Sequence, residues 1–261
     1  MIKVNGTIIE TDKAFPDGSL AMKVPYQPGA GLVHIQWNYE NDAELFALIC
    51  LRKKFGSNKV ILHMPYIPHA RMDRVKSDED VFTLKYFCDI INSLDFDKVC
   101  VLDAHSNVSL ALLDRVIQIP VEPHINAAIT QHDRGNTALF FPDEGSMKRY
   151  ADYFNSIPFS FGMKKRDWST GKILGLEIMQ TENIIGKDVL IIDDICCAGG
   201  TFYYAARALM GAGAKSVSVY VTHCENTLLH GKLIDCGLIE NIYTTDSLVH
   251  CEELKTKVIY V

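Results

Sequence analysis

Short apolar runs alternate with segments of helical periodicity along most of the chain. The β-rich runs are LVHIQW (32–37), KVILHMPY (59–66), KVCVLDA (98–104), TALFFPD (137–143), PFSFGM (158–163), DVLIIDD (188–194) and SVSVYVTH (216–223). Between them, apolar residues recur at helical spacing in 41–56, 80–95, 145–157 and 200–214. This alternation of strands with helices predicts an α/β protein.

The apolar character of these strands favours parallel sheets that are covered by helices on both faces. The segment HINAAITQHDRGN near residues 125–136 separates one such series from the next. We therefore predict two α/β domains, 1–128 and 129–261, each a mainly parallel sheet flanked by helices. The last residues of the chain are expected to pack back on the N-terminal domain.

Composition narrows the possible partners. No window reaches 18 consecutive apolar residues, and the first residues lack the basic start and apolar core of a secretory signal, so we expect a cytoplasmic protein without a membrane partner. The formal net charge of −6 argues against a broad nucleic-acid surface. The 8 cysteines fall at no metal-binding or disulfide-framework spacing, and we interpret them as reduced thiols.

Polar residues follow four of the predicted strands. The strands lead into IPHARMDR, DAHS, PDEGS and DDICCAGGT, and ligands of open α/β sheets gather at the carboxyl ends of the strands. Each motif also has a purely structural interpretation. An aspartate at a strand end is often the N-cap of the next helix, and a lone histidine is usually a hydrogen-bonded structural residue.

The stretch VLIIDDICCAGGT (189–201) carries the most specific pattern. Asp193 and Asp194 can accept hydrogen bonds from vicinal sugar hydroxyls or hold the water shell of a cation. The backbone N–H groups of the following AGGT loop can converge on an anion at a helix N-terminus. Carboxylates that bind a sugar diol, next to backbone amides that bind a phosphate, would form a ribose 5-phosphate site. The stretch resembles the phosphoribosyl-binding signature of the type I phosphoribosyltransferase fold.

Five motifs in order extend this resemblance to most of the chain. PYIPHARMDR, LDAHS, FPDEGS, MKKR and VLIIDDICCAGGT occur in the order and approximate spacing seen in ribose-phosphate pyrophosphokinases, or PRPP synthetases. FPDGS (15–19) resembles the nucleotide loop of that family, and TTDSL near the C-terminus also matches. The resemblance implies two phosphoribosyltransferase-like domains, the first on the nucleotide side and the second on the ribose-phosphate side.

The resemblance also implies a reaction, in which the β,γ-diphosphoryl group of MgATP moves to the anomeric hydroxyl of a ribose 5-phosphate and AMP is released. Matching motif positions give the catalytic basic pair as Lys164 and Arg166, although a run such as KKRD is also typical of a solvated surface. They give the Mg²⁺ ligands as His105 and Asp143. The implied ATP-binding residues are Phe15, Asp17, Gly18, Ser19, Arg71, Met72, Asp73 and His105.

The ribose-phosphate-binding residues implied in the same way are Asp193, Asp194, Cys197, Ala198, Gly199, Gly200 and Thr201. Mg²⁺ would be the cofactor and ATP the co-substrate. Because the nucleotide loop of the family reaches ATP from a neighbouring subunit, the resemblance implies a homo-oligomer, a dimer or a hexamer.

The chain departs from the family pattern at the two binding sites. Met72 and Ser19 replace the usual glutamine and glutamate of the nucleotide segments, so adenine recognition is in doubt. In the ribose-phosphate loop, Cys197 and Ala198 stand where the family has an aspartate and a threonine. Since the loss of two hydrogen-bonding groups serves a terminal phosphate less well than a phosphodiester, we place ADP-ribose slightly ahead of ribose 5-phosphate as acceptor. This resembles a phage branch of the family that makes ADP-ribose pyrophosphate for NAD⁺ resynthesis, whose location would be the host cytoplasm.

Other interpretations stay open from the sequence alone. A phosphoribosyltransferase that consumes PRPP needs only the 189–201 element and leaves HARMDR, LDAHS and MKKR unexplained. A catalytically silent homologue that regulates a partner synthetase is the non-enzyme alternative. Cys196 and Cys197 could form a redox sensor if their thiol pKa values were lowered at the helix N-terminus, although small residues in a crowded loop need no redox chemistry.

Overall fold

The structure is a computed structural model that describes residues 1–25, 31–166, 173–248 and 258–261. The chain divides into two compact units, Met1–Pro120 and Val121–Val261. Each unit contains one β-sheet with its own helices. The predicted α/β class with two mainly parallel sheets is confirmed.

The first unit contains a six-stranded sheet in the order β2-β1-β3-β4-β5-β6. Its elements are β1 (Ile2–Val4), β2 (Thr7–Ile9), β3 (Leu32–Trp37), α1 (Ala43–Phe55), β4 (Lys59–His63), α2 (Thr83–Ser93), β5 (Lys98–Leu102), α3 (Asn107–Leu112) and β6 (Val116–Ile119). Strands β3 to β6 are parallel, and β1 pairs antiparallel with both β2 and β3. Alternate residues of β3 are fully buried, among them Val33 and Ile35, so one face of the sheet forms the core.

The second unit contains a seven-stranded sheet in the order β13-β12-β11-β10-β7-β8-β9. Its strands are β7 (Thr137–Phe141), β8 (Phe159–Arg166), β9 (Ile173–Met179), β10 (Asp188–Cys196), β11 (Ser216–Cys224), β12 (Ile242–Thr244) and β13 (Val258–Tyr260). Its α-helices are α4 (Glu122–His132), α5 (Glu144–Tyr150), α6 (Gly200–Gly211) and α7 (Lys232–Asp235). Every pairing is parallel except that of β8 with β9.

The centre of this second sheet is covered on both faces. All nine residues of β11 are buried, as are the first five of β10. Burial of consecutive residues is typical of parallel strands with helices on both sides. The continuous apolar runs at 188–194 and 216–223 therefore predicted these strands correctly.

The division between the units lies ahead of the boundary predicted after residue 128. Helix α4 packs against β11, with Ile125 and Ala128 fully buried, so it belongs to the second unit. The final strand β13 pairs with β12 at the edge of the second sheet. The packing of the last residues on the N-terminal domain stays a prediction. The sequence pattern missed β13 and also β1, β2, β6, β9 and β12. All of these except β9 have only three or four residues, too few to show a periodicity.

Several predicted elements end earlier or later than their patterns suggest. Strand β4 stops at His63, and the predicted helix 145–157 is α5 followed by a 3-10 helix at Ala151–Phe154. Strand β8 runs through Arg166 and so includes the basic residues that follow PFSFGM. Within the described parts of the chain, no helix combines the length and the apolar character that crossing a bilayer requires.

Candidate functional site

Three acidic residues of the second unit, Asp143, Asp193 and Asp194, lie at the edge of its sheet where the parallel strands end. Strands β7 and β10 are parallel neighbours with Asp188 opposite Thr137 and Ile191 opposite Phe140. Their carboxyl ends therefore lie side by side, and they lead to Asp143 and to the pair Asp193–Asp194. The structure thus brings together two of the predicted motifs, FPDEGS and IIDDICC.

Asp143 is the N-cap of helix α5. Its Oδ1 accepts hydrogen bonds from the backbone N–H groups of Gly145 at 3.0 Å and Ser146 at 3.1 Å, and Ser146 completes a capping box. Asp143 therefore has the helix-capping role that is the purely structural interpretation of an aspartate at a strand end. It also holds the carboxylate in one orientation at the edge of the sheet.

Asp193 and Asp194 occupy different environments. Asp194 is 5% exposed, whereas Asp193 keeps partial contact with solvent. The pKa of Asp193 is raised well above its usual value, mainly because the carboxyl is withdrawn from water and further because the charges of Asp194 and Asp143 repel its ionised form. The three carboxyl groups therefore oppose one another's ionisation, and Asp193 keeps its proton more firmly than an ordinary aspartate.

Arg149 is a residue of this site that the sequence reasoning missed. Its Nη1 lies 2.9 Å from Oδ2 of Asp194, and its side chain is 27% exposed. In the sequence Arg149 belongs to the helical run GSMKRY, where an arginine in the last turn also suits a solvated helix end. Its position six residues after Asp143, on the helix that Asp143 caps, was the only available signal.

The predicted phosphate loop connects β10 to α6. Gly199 adopts a left-handed conformation with φ of 76°, and α6 begins at Gly200. Ala198, Gly200 and Thr201 are exposed, while Cys197 is partly buried. Exposed backbone at the N-terminus of a 12-residue helix can donate hydrogen bonds to an anion.

The segment around Gly231 supports this loop. An ideal Cβ built on Gly231 would stand 2.0 Å from the carbonyl oxygen of Ala198, and one built on Gly199 would stand 2.6 Å from Cβ of Leu233. Both positions therefore require glycine. The close approach of 231–233 to 198–199 holds the loop in place, and nothing in the sequence pattern indicated this contact.

Lys164 and Arg166 lie on β8, which pairs with β7. Lys164 is opposite Leu176 and Arg166 is opposite Ile173 on β9, with an irregularity in the register between Lys165 and Arg166. Their backbone thus belongs to the same sheet as Asp143 and Asp193. Their side chains lie outside the described part of the structure, and their predicted catalytic role stays a prediction.

In the first unit, the predicted nucleotide loop forms a tight turn. Ala14 and Leu20 form a bridge, and Oδ1 of Asp17 accepts hydrogen bonds from the N–H of Ser19 at 2.9 Å and from its hydroxyl at 2.7 Å. These bonds lower the pKa of Asp17. Phe15, which is 60% exposed, and Gly18 belong to the same turn, where the N–H of Gly18 bonds the carbonyl of Phe15. Ser19 therefore closes the turn on Asp17, in the place of the family's glutamate.

The motifs after β4 and β5 meet in the same unit. Asp73 is 7% exposed and its Oδ1 and Oδ2 lie 2.7 and 3.2 Å from Nε and Nη2 of Arg74. Arg74 is the main cause of the lowered pKa of Asp73, burial opposes it, and Ser106 and His105 add to the lowering. Asp73 therefore lies beside His105 as a partner of Arg74, while Arg71 and Met72 are exposed.

His105 and Asp143, the donors predicted for Mg²⁺, both belong to the described residues. Among these residues no group of three or more His, Cys, Asp and Glu side chains could hold a metal ion. His105 belongs to the first unit and Asp143 to the second. Mg²⁺ typically takes one or two carboxylates and completes its shell with substrate phosphates and water, so a single rigid Asp143 carboxylate fits this mode of binding.

Cys196, the first of the two adjacent cysteines, is unsuited to redox sensing. Cys196 is 1% exposed, and its thiol pKa is raised by a hydrogen bond with Cys224 and by burial. Cys196 and Cys224 are register partners on β10 and β11. A raised pKa is the opposite of what the redox interpretation requires, because the thiolate is the reactive form.

Comparisons with known proteins agree on one family. Residues 145–232 match the family described as "Phosphoribosyl transferase domain". The chain is 30% identical over 253 residues to "Ribose-phosphate pyrophosphokinase 2" of Archaeoglobus fulgidus, covering 95% of this chain and 86% of the relative. It is 29% identical over 219 residues to the "Ribose-phosphate pyrophosphokinase" of Saccharolobus solfataricus, covering 81% of this chain and 75% of that protein.

A solved structure shows the same fold. The phosphoribosylpyrophosphate synthetase of Mycobacterium smegmatis superposes with a TM-score of 0.79 at 18% identity, over 97% of this chain and 85% of that one. This likeness confirms the architecture of two phosphoribosyltransferase-type domains. The ordered motifs, the long alignment to the archaeal relative and this fold together identify the chain as a member of the ribose-phosphate pyrophosphokinase family, a family of transferases.

Proposed function

We propose that this protein transfers the β,γ-diphosphoryl group of MgATP to the anomeric hydroxyl of a ribose 5-phosphate moiety and releases AMP. The observation that carries the proposal is the junction of β10 and α6, where Asp193 and Asp194 lie near the end of the strand and a short loop leads to the helix N-terminus at Gly200. The names of the archaeal relatives support the same reaction.

In this proposal the junction binds the acceptor. The carboxylates of Asp193 and Asp194 accept hydrogen bonds from the 2- and 3-hydroxyls of the ribose. The backbone N–H groups of 198–201 donate to its 5-phosphate, and the helix dipole adds to the attraction. The anomeric hydroxyl is thereby held at a fixed position. Its attack on the β-phosphorus then proceeds like an intramolecular reaction.

The first unit supplies the nucleotide side of the proposed site. The exposed Arg71 and Met72 would contact ATP. Asp73, which is buried and held by Arg74, would fix the position of this segment. The turn that carries Phe15, Asp17, Gly18 and Ser19 would close over a nucleotide as in the family. His105 and Asp143 would hold Mg²⁺ together with the phosphates, and the bound ion would neutralise charge on the transferred group.

Lys164 and Arg166 are proposed to stabilise the transferred group. As phosphoryl chemistry spreads negative charge over the oxygens of the β-phosphate, cations on β8 would lower the barrier more than they strengthen ground-state binding. Both residues lie on a strand of the sheet whose edge carries Asp143 and Asp193. Support for these roles comes from the motif MKKR and from this location.

We propose ADP-ribose as the preferred acceptor. Cys197 and Ala198 provide neither a charged group nor a hydroxyl to a terminal phosphate, and Ala198 is exposed, which leaves room for a substituent on the phosphate. The second candidate is free ribose 5-phosphate, which the names of the relatives favour. The product would be ADP-ribose pyrophosphate in the first case and PRPP in the second.

One assay separates these possibilities. The purified protein is incubated with MgATP and either ribose 5-phosphate or ADP-ribose, and AMP release is followed by chromatography. We expect AMP with at least one acceptor and faster release with ADP-ribose. Release with neither acceptor would overturn the diphosphokinase proposal, and release with ribose 5-phosphate alone would overturn the acceptor preference.

Substitution of Lys164 tests the assignment of the basic pair. Lys164→Ala should lower kcat by about 100-fold or more, because a cation that acts on the transition state is lost. Lys85→Ala, which removes an exposed lysine from α2, serves as the matched control and should keep wild-type activity. A Lys164→Ala enzyme with wild-type kcat would show that the catalytic cations lie elsewhere.

A further inference from the structure

Arg149 makes an ion pair with an acid of the proposed acceptor site. Its Nη1 lies 2.9 Å from Oδ2 of Asp194, with the side chains 27% and 7% exposed. An ion pair withdrawn from water is held more firmly than one on the surface, because few water molecules compete for either charge. Arg149 therefore limits the orientations that the Asp194 carboxylate can adopt.

The packing of α5 determines where Arg149 lies. Asp143 caps the N-terminus of the helix, and the helix packs against β7, β8 and β10. The guanidinium of Arg149 also lies 5.6 Å from the ring centroid of the buried Tyr150. One short helix thus connects the carboxylate at the end of β7 to the carboxylates at the end of β10.

The charges around Asp194 indicate a role for its ion pair with Arg149. Asp143, Asp193 and Asp194 lie at the carboxyl ends of the adjacent parallel strands β7 and β10, so three carboxylates repel one another at one edge of the sheet. Repulsion of this kind drives carboxylates to rotate apart unless a cation compensates it. The guanidinium of Arg149 is cationic at every physiological pH and forms directed hydrogen bonds.

We propose that Arg149 is a positioning residue for the sugar acceptor, which orients the carboxylate of Asp194 for hydrogen bonding to the ribose hydroxyls and compensates its charge beside Asp193. This inference rests on the proposed function, since it assumes that Asp193 and Asp194 bind the ribose. Arg149 acts through Asp194 and is not assigned a contact with the reacting atoms. Its effect is therefore confined to binding of the acceptor.

The contact predicts a selective kinetic defect. Without the guanidinium, Asp194 would lose its ion-pair partner and the acceptor would have to order the carboxylates as it binds. We expect Arg149→Gln to raise the KM for the acceptor by about 10- to 100-fold, because a partly buried carboxylate is left without its compensating charge. The KM for ATP should stay within about twofold of the wild type, because uniform loss of acceptor binding does not alter the nucleotide site.

Two further variants complete the test. Arg149→Lys keeps the charge but not the fixed fork of donors, and it should give an acceptor KM between those of the wild type and Arg149→Gln. Lys148→Gln removes a positive charge from the adjacent position of α5, where Lys148 is exposed and pairs with Glu144 at 2.7 Å. This control should keep both KM values, since it does not touch Asp194.

The outcomes separate this inference from the proposed function. If the wild type releases no AMP with either acceptor, the proposed reaction fails, and calorimetric titration of the wild type and Arg149→Gln with ribose 5-phosphate and with ADP-ribose then decides the positioning role. If the wild type is active and Arg149→Gln keeps the acceptor KM, or changes both KM values equally, the positioning role is overturned. Should Arg149→Gln melt below the assay temperature, the same comparison is made with Arg149→Lys, and an unchanged acceptor KM there also overturns it.

Discussion

Two aspartates of β10, Asp188 and Asp193, have opposite effects on the stability of the second unit. At the start of β10, Asp188 is fully buried; burial opposes its ionisation, but hydrogen bonds from Ser216 and Lys215 outweigh it and lower its pKa. At the end of the same strand, the pKa of Asp193 is raised. Asp188 therefore stabilises the fold in its ionised form, whereas Asp193 destabilises it. A binding site that keeps such a residue sacrifices stability for ligand recognition.

The variant Asp193→Asn should be more stable than the wild type at neutral pH and inactive with either acceptor. Because the folded pKa of Asp193 exceeds its unfolded value, the ionisation penalty is present at neutral pH and disappears as the pH falls below about 4. The melting temperature should rise by about 2–4 °C for each kcal/mol of repulsion removed.

Thermal denaturation at several pH values, without ligand, measures this difference. Asp188→Asn is the matched control on the same strand and should have the opposite sign, because it removes a carboxylate that the fold stabilises. A lower melting temperature for Asp193→Asn at neutral pH would contradict the electrostatic assignment.

At the scale of elements, the junction between β10 and α6 depends on one backbone conformation. Gly199 combines a positive φ with a side-chain position that is occupied by Leu233. Gly200, the next residue, begins the helix and has open space around its Cβ position. Two adjacent glycines thus have different requirements, although the motif AGGT presents them as equivalent.

Gly199→Ala should destabilise the protein by about 1–3 kcal/mol and raise the KM for the acceptor, because the strained conformation displaces the phosphate-binding amides. Gly200→Ala should leave stability equal to the wild type or higher by up to about 1 kcal/mol. Chemical denaturation and acceptor kinetics on both variants check the contrast. Equal effects of the two substitutions would show that the loop tolerates a side chain at 199.

His132, at the end of α4, makes the stability of the fold depend on pH. His132 is 4% exposed, and burial is the main cause of its lowered pKa, with the neighbouring backbone and charge of Asp188 opposing it. Below its unfolded pKa of about 6.5, the unfolded chain takes up a proton that the folded protein excludes. The free energy of unfolding should therefore fall as the pH decreases from about 6.5.

His132→Gln should reduce this loss of stability between about pH 7 and pH 5, because the titrating group is removed. The melting temperature as a function of pH measures the slope for wild type and variant. His230→Gln, at an exposed position, should keep the slope of the wild type. An unchanged slope in His132→Gln would assign the effect to another group.

At the scale of the whole molecule, the predicted substrate sites are distributed over two units. The residues implied for ATP lie in Met1–Pro120, and the acceptor residues lie in Val121–Val261. Of the implied metal ligands, His105 lies in the first unit and Asp143 in the second. Phe15 is 60% exposed in its turn, where it can reach a second molecule. The resemblance to the family implies that this turn completes the active site of a neighbouring subunit.

Mixing two inactive variants tests this composite site. Phe15→Ala and Lys164→Ala should each be impaired, and subunit exchange between them should restore up to about a quarter of wild-type activity, since half of randomly formed dimers are mixed and each has one intact site. Activity is measured before and after exchange, with the mass of the assembly measured in parallel. Mixtures that give only the average of the two variants would mean that the turn acts within its own subunit.

How far the sequence predicts the site depends on the range of the interactions. The strands that carry Asp143, Asp193 and Asp194 could be predicted, because continuous apolar runs next to polar residues are a local signal. The presence of Cys197 and Ala198, where the family has an aspartate and a threonine, could be identified for the same reason. The ion pair of Arg149 with Asp194 could not, because it joins residues 45 positions apart through the packing of α5.

The sequence by itself determined the α/β class, the two sheets, the ordered motifs and the family to which the chain belongs. Only the tertiary structure decided that α4 belongs to the second unit, that Gly231 supports the loop at Ala198, that the thiol of Cys196 is buried with a raised pKa and that Asp194 is held by Arg149. The physical reason is that periodicity and motifs report local backbone preference. Burial, charge compensation and close approach depend on residues that are distant along the chain and become neighbours only when the sheets form.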